Sequence, residues 1–195
     1  MLIDSSRLEN FPVLSLHMGT PIAFLRNPIV DPNNLKLLAF ELTGPEVGGE
    51  NGTILDVRDI REFSPLGAII DSSDNFVNPG DVIKLDKIMK LNFTLKDLKV
   101  ETKKKTKLGK VSDFVVDTDT FEVRQLIVRR PPLKAFIDPE LVIPKKEIVE
   151  ITDYKVIVKD EEDKIKKKAI KEDFVPNFVN PFREPDFAPI NRERE

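Results

Sequence analysis

His17 is the only histidine in this chain of 195 residues, and there is no cysteine. A lone imidazole has no second histidine with which to share a metal and no thiol to activate. A Ser–His pair would need His17 to meet a serine in space, and no nucleophile elbow with its flanking glycines occurs. His17 is expected on a loop or at the surface. Without cysteine there are no disulfides, thiolate zinc sites or iron–sulfur clusters. Gly48, Gly49 and Gly52 make a glycine-rich stretch. A phosphate-cradling loop opens a helix and carries a lysine, whereas Thr53, Ile54 and Leu55 read as strand. Asp117 to Glu122 begins like a calcium loop but has no glycine at its sixth position and no flanking helices, so a hairpin turn is expected there. No cofactor, metal or catalytic residue is expected.

What remains is chemistry of binding. Lys103, Lys104, Lys105 and Lys107 cluster in one short stretch, Arg129 and Arg130 end a strand-like run, and Lys145 and Lys146 open another. Such cations could touch RNA phosphates, releasing counterions. No aromatic lies within the lysine cluster to stack on bases. A solvated hairpin that guards a sheet edge is the simpler assignment. In the C-terminal stretch, Phe174, Phe178, Phe182 and Phe187 alternate with prolines. That composition forms neither a regular helix nor a central strand. These phenylalanines are candidate anchors of a linear motif whose prolines lower the cost of ordering. The other two readings are a tail with no fixed structure and a tail that packs back across its own domains.

The elements that must position these groups repeat. Leu35, Leu37, Phe40 and Leu42 follow Asp31; 86 residues later Phe121, Val123, Leu126 and Val128 follow Asp117. Upstream, Ile22, Leu25 and Val30 match Leu108, Val111 and Val116. At an offset of 88, Ile54 and Leu55, the run 59–63 and the run 68–70 match 142–143, 147–151 and 156–158. Both copies are rich in β-branched residues and are broken by turn residues every 8–12 positions, the pattern of a small sandwich or barrel. Asp31 to Asn34 and Asp117 to Thr120 supply turns whose short side chains bond back to nearby amides. Gly109, and Gly52 in the first copy, mark places where a strand bends. Arg58, Asp59, Arg61 and Glu62 read as the outward face of one strand. Between the copies, Val82, Leu85, Ile88 and Met89 share one helical face, with Asp81 as the expected N-cap.

The run Lys107 to Asp117, with Gly109, Val111, Asp113 and Asp117 at their spacing, followed by the strand Phe121 to Val128 and by Val142 to Ile151 with Pro144, resembles the PRC-barrel superfamily. That superfamily includes the cytoplasmic domain of the reaction-centre H subunit and the C-terminal domain of the ribosome maturation factor RimM. The first copy is more diverged, with Ala23 in place of Gly109 and Asn27-Pro28 in place of Asp113-Phe114. The resemblance implies compact barrels that bind other macromolecules and hold no active site of their own.

Composition agrees with a globular chain: 40% hydrophobic, 33% charged, net charge −3. No run approaches the roughly 18 apolar residues of a membrane span. The N-terminus has no cationic segment leading into an apolar core, so no secretory signal is expected. Residues 8–73 carry four Lys/Arg against nine Asp/Glu, and residues 95–159 carry fifteen against eleven. The expected architecture is all-β: two tandem PRC-like barrels at 8–73 and 95–159, a linker with a short helix at 74–94, and a charged, then Phe/Pro-rich, mostly irregular tail at 160–195. The expected function is that of a non-enzymatic cytoplasmic adaptor whose barrels and tail bind protein partners. The alternative is a ribosome- or RNA-associated factor using the basic face of the second barrel.

Overall fold

The computed structural model describes residues 1–48, 53–131 and 139–160. The chain opens with strand β1 (Leu2–Asp4) and a single helical turn α1 (Ser5–Leu8). A leading half follows: β2 (Pro12–Ser15), β3 (Pro21–Asp31), β4 (Lys36–Thr43), β5 (Ile54–Asp56), β6 (Glu62–Ser64), β7 (Gly67–Ile70) and β8 (Phe76–Val77). Helix α2 (Ile83–Met89) leads into a trailing half: β9 (Lys99–Thr102), β10 (Lys107–Asp117), β11 (Glu122–Arg129), β12 (Glu140–Pro144), β13 (Ile148–Ile151) and β14 (Lys155–Val158). All these strands join one sheet. Strands dominate the described residues and α1 and α2 are their only α-helices, as an all-β fold requires.

Alternation makes these strands. On β4, Leu37, Phe40 and Leu42 are buried while Lys36 and Thr43 face out. On β11, Val123, Leu126 and Val128 are buried while Arg124 and Arg129 face out. The two hairpins turn on the same chemistry. Asp31 Oδ1 accepts from Asn33 N at 3.0 Å, and Asp117 Oδ1 accepts from Asp119 N at 3.1 Å. Each turn closes on a residue with positive φ, Leu35 at 58° and Phe121 at 54°.

The pairing recurs residue by residue. Pro28 lies opposite Phe40, Ile29 opposite Ala39 and Val30 opposite Leu37. At an offset of 86, Phe114 lies opposite Leu126, Val115 opposite Gln125 and Val116 opposite Val123. Strand β2 runs antiparallel to β3 and parallel to β7, with Val13 facing Ala23 and Ala68. Strand β9 does the same with β10 and β14, Val100 facing Gly109 and Val156. Even the register shifts in β3 and β10 fall at matching places. The crowded approach of the two long strands is relieved differently in each half. At Gly109 (φ 150°) a Cβ would stand 2.0 Å from Arg129 O. Position 23 carries alanine, and the space comes from Gly44 (φ 145°), whose Cβ would stand 2.8 Å from Ala23 Cα.

The halves meet where β4 and β11 begin. Lys36 lies opposite Glu122, Leu37 N donates to Phe121 O at 2.8 Å and Val123 N donates to Leu35 O at 2.9 Å. The 86-residue offset turns each of these two bonds into the other, which is the signature of a local two-fold axis. The leading segments cross this axis. β1 pairs with β10, Ile3 opposite Val116, and α2 packs on β3. One continuous core results, holding Leu25, Phe40 and Leu55 together with Val111, Phe114 and Leu126. A smaller cluster of Ile29, Ala39, Ile54 and Leu85 sits beneath α2.

Two local expectations change. Val82, not Asp81, precedes α2, and no side chain caps it. Asp81 Oδ2 instead accepts from Asn78 N at 2.8 Å, closing the turn before the helix. The helix gains its place from Leu85, 4% exposed, rather than from a cap. Arg58 and Asp59 do not share a strand with Glu62. They sit in a 3₁₀ turn, Val57–Asp59, because Asp56 Oδ1 accepts from Arg58 N at 2.9 Å and bends the chain. Before β14, Thr152 Oγ1 accepts from Lys155 N at 3.2 Å and holds residues 152–155 in a turn. Gly52 lies outside the described residues.

Candidate functional site

A cleft of about 660 Å³ opens on the outer face of the trailing half. Lys107, Arg129 and Arg130, three of the candidate RNA contacts, line it together with Lys99 and Lys110. The register explains how it forms. Lys155 lies opposite Lys99, Lys99 opposite Lys110, and Lys110 opposite Arg129. Four cations therefore cross four neighbouring strands in one row. Like charges directly opposite each other in a sheet are unfavourable. Only Lys155 is neutralised within the row, by Glu101 Oε2 at 3.3 Å. Lys99, Lys110 and Arg129 are exposed and have no ion-pair partner among the described residues. The row is therefore a stripe of exposed positive charge that its own strands leave uncompensated.

Lys103, Lys104 and Lys105 stand beside this cleft rather than in it. They form the exposed β9–β10 loop. Lys103 N donates to Val158 O at 3.1 Å and Lys105 N to Thr102 O at 2.9 Å. Lys104 N approaches Asp160 Oδ1 at 3.4 Å, so an acidic residue already touches this loop. Lys99 and Lys110 escaped the sequence reading because they are isolated in the chain. Each precedes a buried valine, Val100 or Val111, so alternation places both outward; only strand register brings them together.

The equivalent face of the leading half is uncharged. Pro12 lies opposite Phe24 and Phe24 opposite Thr43, where the trailing half has Lys99, Lys110 and Arg129. Phe24 is 37% exposed. The neighbouring β2–β3 loop carries Leu16 and Met18, 61% and 59% exposed, where the trailing half has its lysine loop. His17 is exposed between them, and its N donates to Asp71 O at 3.0 Å.

A second cleft, of about 460 Å³, lies at the junction of the halves. Several of its polar groups are already engaged. Asn27 Nδ2 donates to Glu41 Oε2 at 2.6 Å and Arg26 Nη1 to Asn10 Oδ1 at 3.3 Å. Ser5 Oγ donates to Asp113, whose carboxylate also pairs with Lys96 at 3.6 Å. Burial pushes the Asp113 carboxyl up, and hydrogen bonds from Ser5, Ser6 and Phe114 N, with Lys96 nearby, outweigh it and hold the group below its ordinary value. This cleft is a clamp on the N-terminal segment. The Asp117 carboxyl is held at about 2, chiefly by Arg124 and the Asp119 amide, with the N-terminal ammonium adding to the effect. Arg124 Nη2 donates to it at 2.8 Å.

Residues 87–173 match the family model described as the PRC-barrel domain. A PRC-barrel domain is therefore present in this chain. It takes in all six strands of the trailing half, the cation row and the lysine loop. No curated protein matches the chain. The leading half, with its apolar face, lies outside the matched residues. No described helix is long and apolar enough to cross a membrane. No group of three His, Asp or Glu side chains poised to hold a metal occurs among the described residues. Phe174, Phe178, Phe182 and Phe187 lie outside the described residues.

Proposed function

We propose that this protein is a non-enzymatic cytoplasmic adaptor, built from the PRC-barrel domain and a diverged copy of it that precedes it. The recurring registers at offsets of 86 and 88 support the duplication. One observation carries the adaptor reading: the same strand positions bear a row of cations in the PRC-barrel domain and the uncharged Pro12, Phe24 and Thr43 in the leading half. Two equivalent faces of opposite chemistry suit two different partners held by one body. The cationic face takes an acidic protein surface, and Phe24, Leu16 and Met18 take an apolar one. The tail phenylalanines add a further contact. An RNA- or ribosome-associated role, of the kind RimM has, is the second reading, and the row Lys99, Lys110, Arg129 favours it.

Affinity capture with the full chain, with and without nuclease, tests both. Lys99→Glu with Lys110→Glu should remove one nuclease-resistant set of proteins, and Leu16→Asp with Met18→Asp a different set. Nuclease-sensitive recovery that only the lysine variant abolishes would establish the RNA role and remove the adaptor. Identical capture by both variants and the parent would remove both readings.

A further inference from the structure

The two halves differ in how their last strands end. In the leading half, β8 covers the outer edge of β5, with Val77 opposite Ile54 and Phe76 opposite Leu55. Phe76 belongs to the main core, and all three residues of β5 are buried. In the PRC-barrel domain, β12 is the counterpart of β5 and pairs only with β11 among the described residues. No described strand pairs with its outer edge, and Val142, the counterpart of Ile54, is 51% exposed, whereas Ile54 is 1% exposed beneath α2. An open apolar edge is a ready site for another strand.

The sequence carries a second copy of the segment that forms β8. β8 lies in Asn75-Phe76-Val77-Asn78-Pro79, and the same five residues recur as Asn177-Phe178-Val179-Asn180-Pro181. The recurrence lies 102 residues away rather than 88, that is, 14 residues further along the chain. At an offset of 88, the position of Phe76 is taken by Lys164, which could not replace a core aromatic. Proline just after the strand is compatible with an edge, as Pro79 is beside β8. The 18 residues between Lys159 and Phe178 can extend roughly 60 Å, enough to reach any edge of a domain this size.

We propose that the outer edge of β12 is a strand-docking site and that its occupant is this chain's own segment Asn177–Pro181. The pairing is antiparallel, with Val179 opposite Val142 and Phe178 opposite Ile143, as Val77 and Phe76 sit opposite Ile54 and Leu55. Phe178 then completes the core of the PRC-barrel domain, while Phe174, Phe182 and Phe187 stay available to partners. This inference does not depend on the adaptor reading.

The natural chain has no cysteine, so a disulfide reports proximity directly. Opposed residues on antiparallel strands lie within about 4.4–6.8 Å between Cα atoms, the range a disulfide spans. Full-length Val142→Cys/Val179→Cys should form an intrachain disulfide under mild oxidation, and Val142→Cys/Ala188→Cys should not. No crosslink above that control would overturn the proposal. A crosslink only between chains would also overturn it, since the occupant would be a second copy. Amide exchange of 140–144 in uncrosslinked protein should rise about tenfold or more in Phe178→Asp/Val179→Asp as the edge opens. Equal exchange in parent and variant would overturn it as well.

Discussion

The leading half and the PRC-barrel domain share a backbone and differ in nearly everything they show to solvent. Val13 and Val100 occupy one inward position and are fully buried in both. Their neighbours Pro12 and Lys99, or Phe24 and Lys110, occupy one outward position and share nothing chemically. Inward residues must satisfy packing and register, so they stay apolar. Outward residues answer only to water and partners, so they are free to carry two different recognition chemistries on one frame. The interior also shows exchange. The large ring sits on β4 in the leading half, Phe40 opposite Pro28, and on β10 in the domain, Phe114 opposite Leu126. Each pair fills the gap between the same two strands with one large and one smaller side chain, and cores accept swaps that keep volume.

The sharpest test of this comparison removes a ring. Phe40→Ala and Phe114→Ala should each cost about 3–5 kcal/mol in denaturant unfolding. Because the core is continuous, one cooperative transition should move in both variants. Two transitions, with only one of them shifted, would show that the halves fold separately.

The glycine that relieves strand crowding should come next. Gly109→Ala drives a Cβ into Arg129 O in a backbone region alanine disfavours, and should cost at least about 1–3 kcal/mol. Ala23→Gly, at the counterpart position, should cost less, about 1–2 kcal/mol, from backbone entropy and the loss of one buried methyl. Comparable losses in thermal unfolding would mean that the two crossings are built alike after all.

Relieving the cation row has a smaller effect of opposite sign. Lys110→Gln removes repulsion from Lys99 and Arg129, and should raise stability by about 0.2–1 kcal/mol at low salt. The gain should shrink as salt screens the row. Phe24→Gln in the leading half should show no such salt dependence. A gain for Lys110→Gln that persists at high salt would assign the effect to packing instead.

The smallest effect is confined to acid. Asp117 titrates at about 2 in the folded chain, below its ordinary value of 3.8. A depressed carboxyl contributes stability above its unfolded pKa and loses it as pH falls through the folded one. Asp117→Asn should therefore flatten the stability curve between about pH 4 and pH 2. Asp31, its counterpart, accepts from Asn33 and Asn34 rather than from an arginine. An acid limb in Asp117→Asn as steep as the parent's would show that the Arg124 pair contributes nothing there.

Much of the frame could be read along the chain. The strands around Leu37, Phe40 and Leu42, and around Val123, Leu126 and Val128, follow from alternation, and their turns follow from Asp31 and Asp117. The offset of 86 anticipated which residues of β3 and β10 correspond. The recurrence at Asn177 falls at a different offset from the other matches, so spacing along the chain does not connect it with the segment that pairs with β5. The turn at Val57 to Asp59 was hidden for another reason. A dense run of charge looks like an exposed strand face unless one knows that Asp56 captures the Arg58 amide.

By itself the sequence determined most of the strands and the turns at Asp31 and Asp117, because these depend on residues close together in the chain. Tertiary structure decided what depends on register. Lys99, Lys110 and Arg129 lie far apart in sequence, and only the pairing of β9, β10 and β11 sets them side by side. The crossing of β1 onto β10 and the exchange of bonds between Leu35 and Phe121 are likewise properties of which strands meet. A single strand leaves its neighbours unspecified, since backbone hydrogen bonding is the same for every residue and selects no partner on its own.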